Sequence, residues 1–229
     1  GELRAVIDKI CSATGSKEID LVGHSMGGLD ARYYLGQSDE KVKNLVMIAT
    51  PNSGSVLADN ELKFRERGVP IRPRVDDAEI RQCQRDMCED KVKDGKQNNP
   101  TLHDLNEGWD TQKSRANMLL IAGIGRPTLQ SRSLLTVWGD GAVSQNSVKM
   151  DDVPIKNIWG ANHKGVKEHP EALMATAERL GGPHAVVAQA GGRFGGLIEE
   201  TTPETWDRVM AVDVRGTFLA VRAAIDLPI

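Results

Sequence analysis

A serine stands between glycines directly after an apolar run: the stretch EIDLV, residues 18 to 22, leads into Gly23-His24-Ser25-Met26-Gly27-Gly28. Few local patterns restrict a fold so tightly. IDLV has the length and character of a buried strand, and LDARYYLG after it reads as a helix. A chain that turns from strand to helix this abruptly crowds the positions two before and two after its centre, so both must be small. Gly23 and Gly27 meet that need. The residue between them is pushed into a strained conformation, with its hydroxyl exposed at the end of the sheet. The plain alternative is a glycine-rich surface turn that contains a serine. The strand before it, the helix after it and the extra Gly28 weigh against that.

The same reading extends along the chain. ELRAVIDKICSA, residues 2 to 13, places Leu3, Val6, Ile7 and Ile10 at helical spacing, and TGSK closes it. KVKNLVMIAT, residues 41 to 50, is a second buried strand, halted by Pro51. NMLLIAGIG, 117 to 125, is a third. SLLTVWGDGAVS, 133 to 144, holds a loop with an acidic residue. VPIKNIWGANHKG, 153 to 165, is a fourth strand ending in a histidine loop, and HPEALMATAERLGG is a helix with a glycine stop. Buried strands alternating with helices predict an α/β fold: a mostly parallel sheet covered by helices on both faces. Active sites in such sheets lie beyond the carboxyl ends of strands. Ser25, Asp140 and His163 each follow a predicted strand end.

Those three residue types have a joint chemistry. A serine hydroxyl is a weak nucleophile at neutral pH. It needs a base to take its proton, and an acid to orient that base and stabilise the imidazolium. The pattern Gly23-His24-Ser25-Met26-Gly27 is that of a nucleophile elbow, and the chain order Ser25, Asp140, His163 follows. With GHSMGG, the strand and loop KNLVMIATPNSGS, the loop GDGAVS and the late His163, the chain resembles an α/β-hydrolase of the lipase and esterase type over roughly residues 1 to 181. The resemblance implies Ser25 as nucleophile, Asp140 as acid, His163 as general base and the backbone N–H of Met26 as one oxyanion donor. It implies a small-molecule ester or lipid substrate and no cofactor; no metal is indicated, since no His/Cys/Asp cluster has ligand spacing. Plainer readings stand beside these: Asp140 as the shaper of a glycine turn, and His163 as a surface residue competing with His169 and His103. His169, before Pro170, reads as a capping or surface residue, and His24 as packing beneath the elbow.

Residues 53 to 111 differ from the rest, being charge-rich with Pro70, Pro73 and Pro100 and without a clear strand. They fall where such enzymes insert a lid or cap. A solvated insertion with no gating role is the competing reading.

The resemblance breaks in two places. The family sets several strands before the elbow strand, and a loop after one of them supplies a second oxyanion amide. Here the elbow strand follows the first helix, which predicts an incomplete sheet, an unpaired edge on that strand and a surface for homo-oligomer formation. After Gly182 the character also changes. Residues 183 to 226 resemble the middle of a short-chain dehydrogenase/reductase, but its two signature asparagines are replaced at Gln189 and Asp213. The family's dinucleotide loop and its Tyr-x-x-x-Lys pair are missing, which argues against an NAD(P)-binding oxidoreductase. The chain therefore reads as a hydrolase-like portion, 1–181, joined to a strand-loop-helix fragment, 182–229, and a catalytically impaired fusion is one outcome. The apolar run HAVVAQA is expected to dock beside EIDLV as the missing neighbour, with an amide of Gly192 or Arg193 as second donor.

Composition narrows the rest. With 29 basic and 32 acidic residues in 229, no nucleic-acid surface is indicated. No apolar stretch approaches the ~20 residues that span a bilayer. The chain begins GELRAVIDKI, without Met or a signal pattern, and is expected to have lost a leader or to be a fragment. Cys11, Cys83 and Cys88 leave the compartment open, with a local Cys83–Cys88 bridge as one option.

Overall fold

A computed structural model describes residues 2–37, 41–66, 82, 85–89, 92–93, 96–97, 99–129, 136–181, 188–189, 202, 204 and 207. Five strands form one sheet: β1 (Ile19–His24), β2 (Val42–Ile48), β5 (Asn117–Ile124), β8 (Ile155–Trp159) and β9 (Ala188–Gln189), in the order β8-β5-β2-β1-β9. Every neighbouring pair is parallel. Two short antiparallel pairs stand apart, β3 (Val92–Lys93) with β4 (Lys96–Gln97), and β6 (Arg126–Leu129) with β7 (Thr136–Gly139).

Alternation along the strands splits the apolar side chains between two faces. Leu21, Leu45, Met47, Leu120 and Ala122 lie in one cluster, packed with Ile7 of α1 (Glu2–Thr14) and Ala31, Tyr34 and Leu35 of α2 (Met26–Gly36). Val46, Ile48, Leu119, Ile121 and Ile158 lie in another, packed with Ala172 and Leu180 of a helix at Pro170–Leu180. Helices thus cover both faces, as the sequence predicts. In α1 the buried stripe runs through Leu3, Ile7, Ile10 and Cys11, whereas Val6 is 47% exposed. Val6 lies to one side of the line joining Leu3, Ile7 and Ile10, and an isolated exposed valine is ordinary.

The expected open edge on β1 carries β9, with Val22 opposite Ala188 and Gly23 opposite Gln189. HAVVAQA therefore contributes a neighbour to the elbow strand, as its apolar character suggested. The donor expected from Gly192 or Arg193 lies outside the described residues, as do Cys83 and nearly all of the dehydrogenase-like fragment. β8 forms the other edge.

The region read as charge-rich and without a clear strand holds the short β3–β4 pair and several helices among its described residues. Helix α3 spans Val56–Glu66, α4 spans Pro100–Glu107 and α5 spans Trp109–Lys113. Asn99 caps α4 by accepting from the Leu102 N–H at 3.0 Å, and Pro100 stands in its first turn. An asparagine before a proline is a helix-start signal. Arg32, fully buried on α2, ties this region to the sheet. Its Nε donates to Gln112 Oε1 at 2.9 Å, its Nη1 to Asn52 Oδ1 at 3.0 Å, and its Nη2 to the Leu105 carbonyl and Asn106 Oδ1. Among the described residues, no helix is long and apolar enough to cross a membrane.

Candidate active site

The elbow forms because β1 and α2 meet across glycine. Ser25 sits between them with φ 55 and ψ −124, a positive φ that side-chain-bearing residues rarely adopt. Its N–H donates to the Ile48 carbonyl at 2.8 Å, which ties the turn to the end of β2. A Cβ on Gly23 would come within 2.7 Å of the Gly27 carbonyl oxygen and the Gly28 nitrogen. That approach is the crowding inferred from the sequence. Met26 opens α2, where a backbone N–H has no carbonyl four residues earlier in the helix. Its amide therefore belongs to the electropositive end of that helix.

Two further loops reach the same place. Asp140 follows β7, and His163 follows β8. Gly123 of β5 lets them converge: a Cβ there would lie 2.8 Å from Asp140 Cβ and 3.0 Å from the Ala161 carbonyl oxygen. Nothing in the periodicity of β5 singles this glycine out, because the close approach is between segments distant in sequence.

The three sequence-selected side chains form a chain of contacts. His163 Nε2 lies 2.9 Å from Ser25 Oγ, and His163 Nδ1 lies 2.7 Å from Asp140 Oδ2. The Asp140 side chain is 1% exposed and that of His163 23%. Oδ1 of Asp140 accepts from the N–H groups of Ala142 and Val143 at 2.9 and 2.8 Å, so the buried carboxylate has partners on both oxygens. This is the arrangement a buried charge requires. It also answers the plainer reading of Asp140, which shapes its turn with one oxygen and meets the imidazole with the other.

The competing histidines lie elsewhere. His103 pairs with Glu107 on α4 at 3.3 Å. His169 caps the last helix, its Nδ1 accepting from the Glu171 N–H at 3.3 Å. His24 does more than pack. Its Nε2 lies 2.8 Å from the His163 carbonyl oxygen, and the two rings stand 5.0 Å apart, tilted by 42°. Burial, reinforced by electrostatic interaction with His163 and Lys167 and only partly opposed by its hydrogen bond to the His163 carbonyl and by Asp140, lowers its pKa to about 4. Among the described residues no group of His, Cys, Asp and Glu could hold a metal ion. A small cavity of about 80 Å³ is lined by Met26, Leu29, Leu102 and Leu105 together with Asp30 and Asp86.

A family model described as alpha/beta hydrolase fold matches residues 1–131. The chain belongs to this family. The lipase BlEst2 of Bacillus licheniformis, in its propeptide form, has the same fold at a TM-score of 0.53, with 14% identity over 82% of this α/β-hydrolase and 42% of that chain. A triacylglycerol lipase of Pseudarthrobacter phenanthrenivorans is 38% identical over 58 residues, or 25% of this α/β-hydrolase and 18% of the relative. The matched stretch thus spans less than a fifth of that lipase's length. A relative of a different kind, the inactive 2-(S)-hydroxypropyl-CoM dehydrogenase 2 of Xanthobacter autotrophicus, is 49% identical over 55 residues, 24% of each chain.

Proposed function

We propose that this α/β-hydrolase is a serine carboxylic ester hydrolase working through an acyl-enzyme. The observation that carries the reading is the unbroken contact from Ser25 Oγ to His163 Nε2, and from His163 Nδ1 to Asp140 Oδ2. In attack, Oγ bonds the ester carbonyl carbon while its proton passes to His163 Nε2, and the carbonyl electron pair moves onto oxygen. The Met26 N–H stabilises that oxyanion from the start of α2. When the tetrahedral species collapses, the bond to the alcohol oxygen breaks and His163 returns the proton to it. Water then repeats the sequence: it gives a proton to His163, bonds the acyl carbon, and releases the acid and the Ser25 hydroxyl. Asp140 accepts from Nδ1–H throughout, orienting the ring and stabilising the imidazolium.

An ester or lipid substrate fits the lipase names among the relatives. In the same reading, residues 1–181 form the catalytic portion and 182–229 the appended one. The candidate lid or cap is residues 53–111, of which Leu105 and Asn106 are held to α2 by Arg32.

The test is hydrolysis of a nitrophenyl ester together with labelling by a fluorophosphonate. Ser25→Ala is expected to abolish both. Hydrolysis undiminished in that variant would overturn the assignment. An oxyanion hole short of one donor turns over about 10²–10³ more slowly than a complete one, so weak activity that depends on Ser25 accords with the proposal.

A further inference from the structure

We propose that His24 is a positioning residue for His163, fixing the loop that carries the imidazole by donating from its Nε2 to the His163 carbonyl oxygen; this rests on the Ser25–His163 reading above. The contact measures 2.8 Å. A carbonyl oxygen can only accept, so His24 Nε2 carries the hydrogen.

The placement gives this bond its leverage. His24 is the last residue of β1 and the immediate neighbour of Ser25. The ring and the nucleophile's Oγ therefore hang from the same strand end, itself paired with β2 through residue 48. On the other side, the His163 N–H donates to the Asp140 carbonyl at 3.0 Å. The two peptide groups flanking the His163 Cα are thus held separately, one from Asp140 and one from the strand of Ser25. With its backbone held on both sides, the side chain reaches Oδ2 of Asp140 in one direction and Oγ of Ser25 in the other without searching among loop conformations. Proximity catalysis is sensitive to such placement: about 1 Å of displacement costs on the order of 10² in rate. A ring nitrogen beneath the elbow needs a hydrogen-bond partner whatever its role; what matters here is which group supplies it, the carbonyl of His163 itself. The buried donor thus goes to the loop that carries the base.

The experiment compares His24→Gln with His24→Asn. The glutamine amide nitrogen reaches about as far as His24 Nε2, whereas asparagine is one methylene shorter. Turnover of a nitrophenyl ester is measured per serine titrated with a fluorophosphonate, so misfolded protein is not counted. His24→Asn is expected to lower kcat 10-fold or more with little change in KM, and His24→Gln to recover most of that loss. Where turnover is too slow to follow, the rate of Ser25 labelling is read in the same way. Asparagine equal to the parent, or glutamine no better than asparagine, overturns the assignment. Ser25→Ala, run alongside, separates the two ideas. If it hydrolyses at the parent rate, the nucleophile reading fails and takes this one with it. If hydrolysis needs Ser25 and asparagine is harmless, only the role of His24 falls.

Discussion

Asp140 and His163 are joined twice: Oδ2 lies 2.7 Å from Nδ1, and the Asp140 carbonyl accepts the His163 N–H at 3.0 Å. The side-chain contact sets the tautomer, and the backbone contact sets the loop. Asp140→Asn should separate them. The amide oxygen can still accept from the Ala142 and Val143 N–H groups, so the turn should persist. The amide nitrogen then faces Nδ1 as a donor and favours the wrong imidazole tautomer. Ester turnover should fall by about 10⁴ with the melting temperature nearly unchanged. A variant with parent activity would show that Asp140 has no part in orienting the base.

Gly123 offers a purely steric test of the same convergence. In Gly123→Ala the new methyl would meet Asp140 Cβ at 2.8 Å and the Ala161 carbonyl oxygen at 3.0 Å. Both belong to segments that must give way. A stability loss of about 1–3 kcal/mol is expected from the overpacking. Turnover should fall on the order of 10² as Asp140 is displaced. Denaturant midpoints and kcat, measured on the same preparations, check both halves.

Arg32 should be among the costliest positions to change. Burial pulls its guanidinium down to about 10, so it remains charged at neutral pH. Four hydrogen bonds to neutral oxygens surround it, and its Cζ lies 5.1 Å from the Trp109 ring centre. Arg32→Met leaves Gln112 Oε1, Asn52 Oδ1 and Asn106 Oδ1 without that donor. A loss of about 3 kcal/mol or more is expected, since a buried acceptor left alone costs roughly 1–3 kcal/mol. Urea midpoints measure it. Hydrogen exchange should show the amides of α4 and α5 losing protection before those of the sheet.

His24 makes stability depend on pH in a defined window. It titrates near 6.5 when unfolded and near 4 in the folded chain, among the His163, Lys167 and Asp140 charges. Between those values only the unfolded state takes up the proton. The contribution is complete above about pH 6.5, and it is lost as pH falls toward 4, by up to about 3 kcal/mol. His24→Gln removes the titrating group and should flatten this part of the stability profile. An unchanged slope in denaturant titrations from pH 7 to 4 would show that another group supplies it.

What the sequence conveyed well was local. Gly23 and Gly27 around Ser25 announced a strand-to-helix turn because crowding at a sharp turn acts between near neighbours. All five sheet strands were readable from apolar runs suited to burial, EIDLV, KNLVMIA, NMLLIAGI, VPIKNIW and HAVVAQA. His169 read as a helix cap because Pro170 follows it, and it is one. The hairpin of β6 and β7 was missed, since four residues such as Arg126–Leu129 carry too little pattern. Helices α4 and α5 were missed although Asn99-Pro100 marked a start, because surrounding charge hid the periodicity.

The sequence by itself determined which residue types stand at strand ends, and hence that a serine, an acid and a histidine were available in a workable order. Only the tertiary structure decided that His163 rather than His169 or His103 faces Ser25, that Gly123 clears the space for Asp140, and that His24 hydrogen-bonds the loop that carries His163. The physical reason is the range of the forces involved. Turns and periodicity are set by steric contacts among near neighbours, whereas a hydrogen bond between residues 24 and 163 exists only once the sheet has brought two distant strand ends within 3 Å.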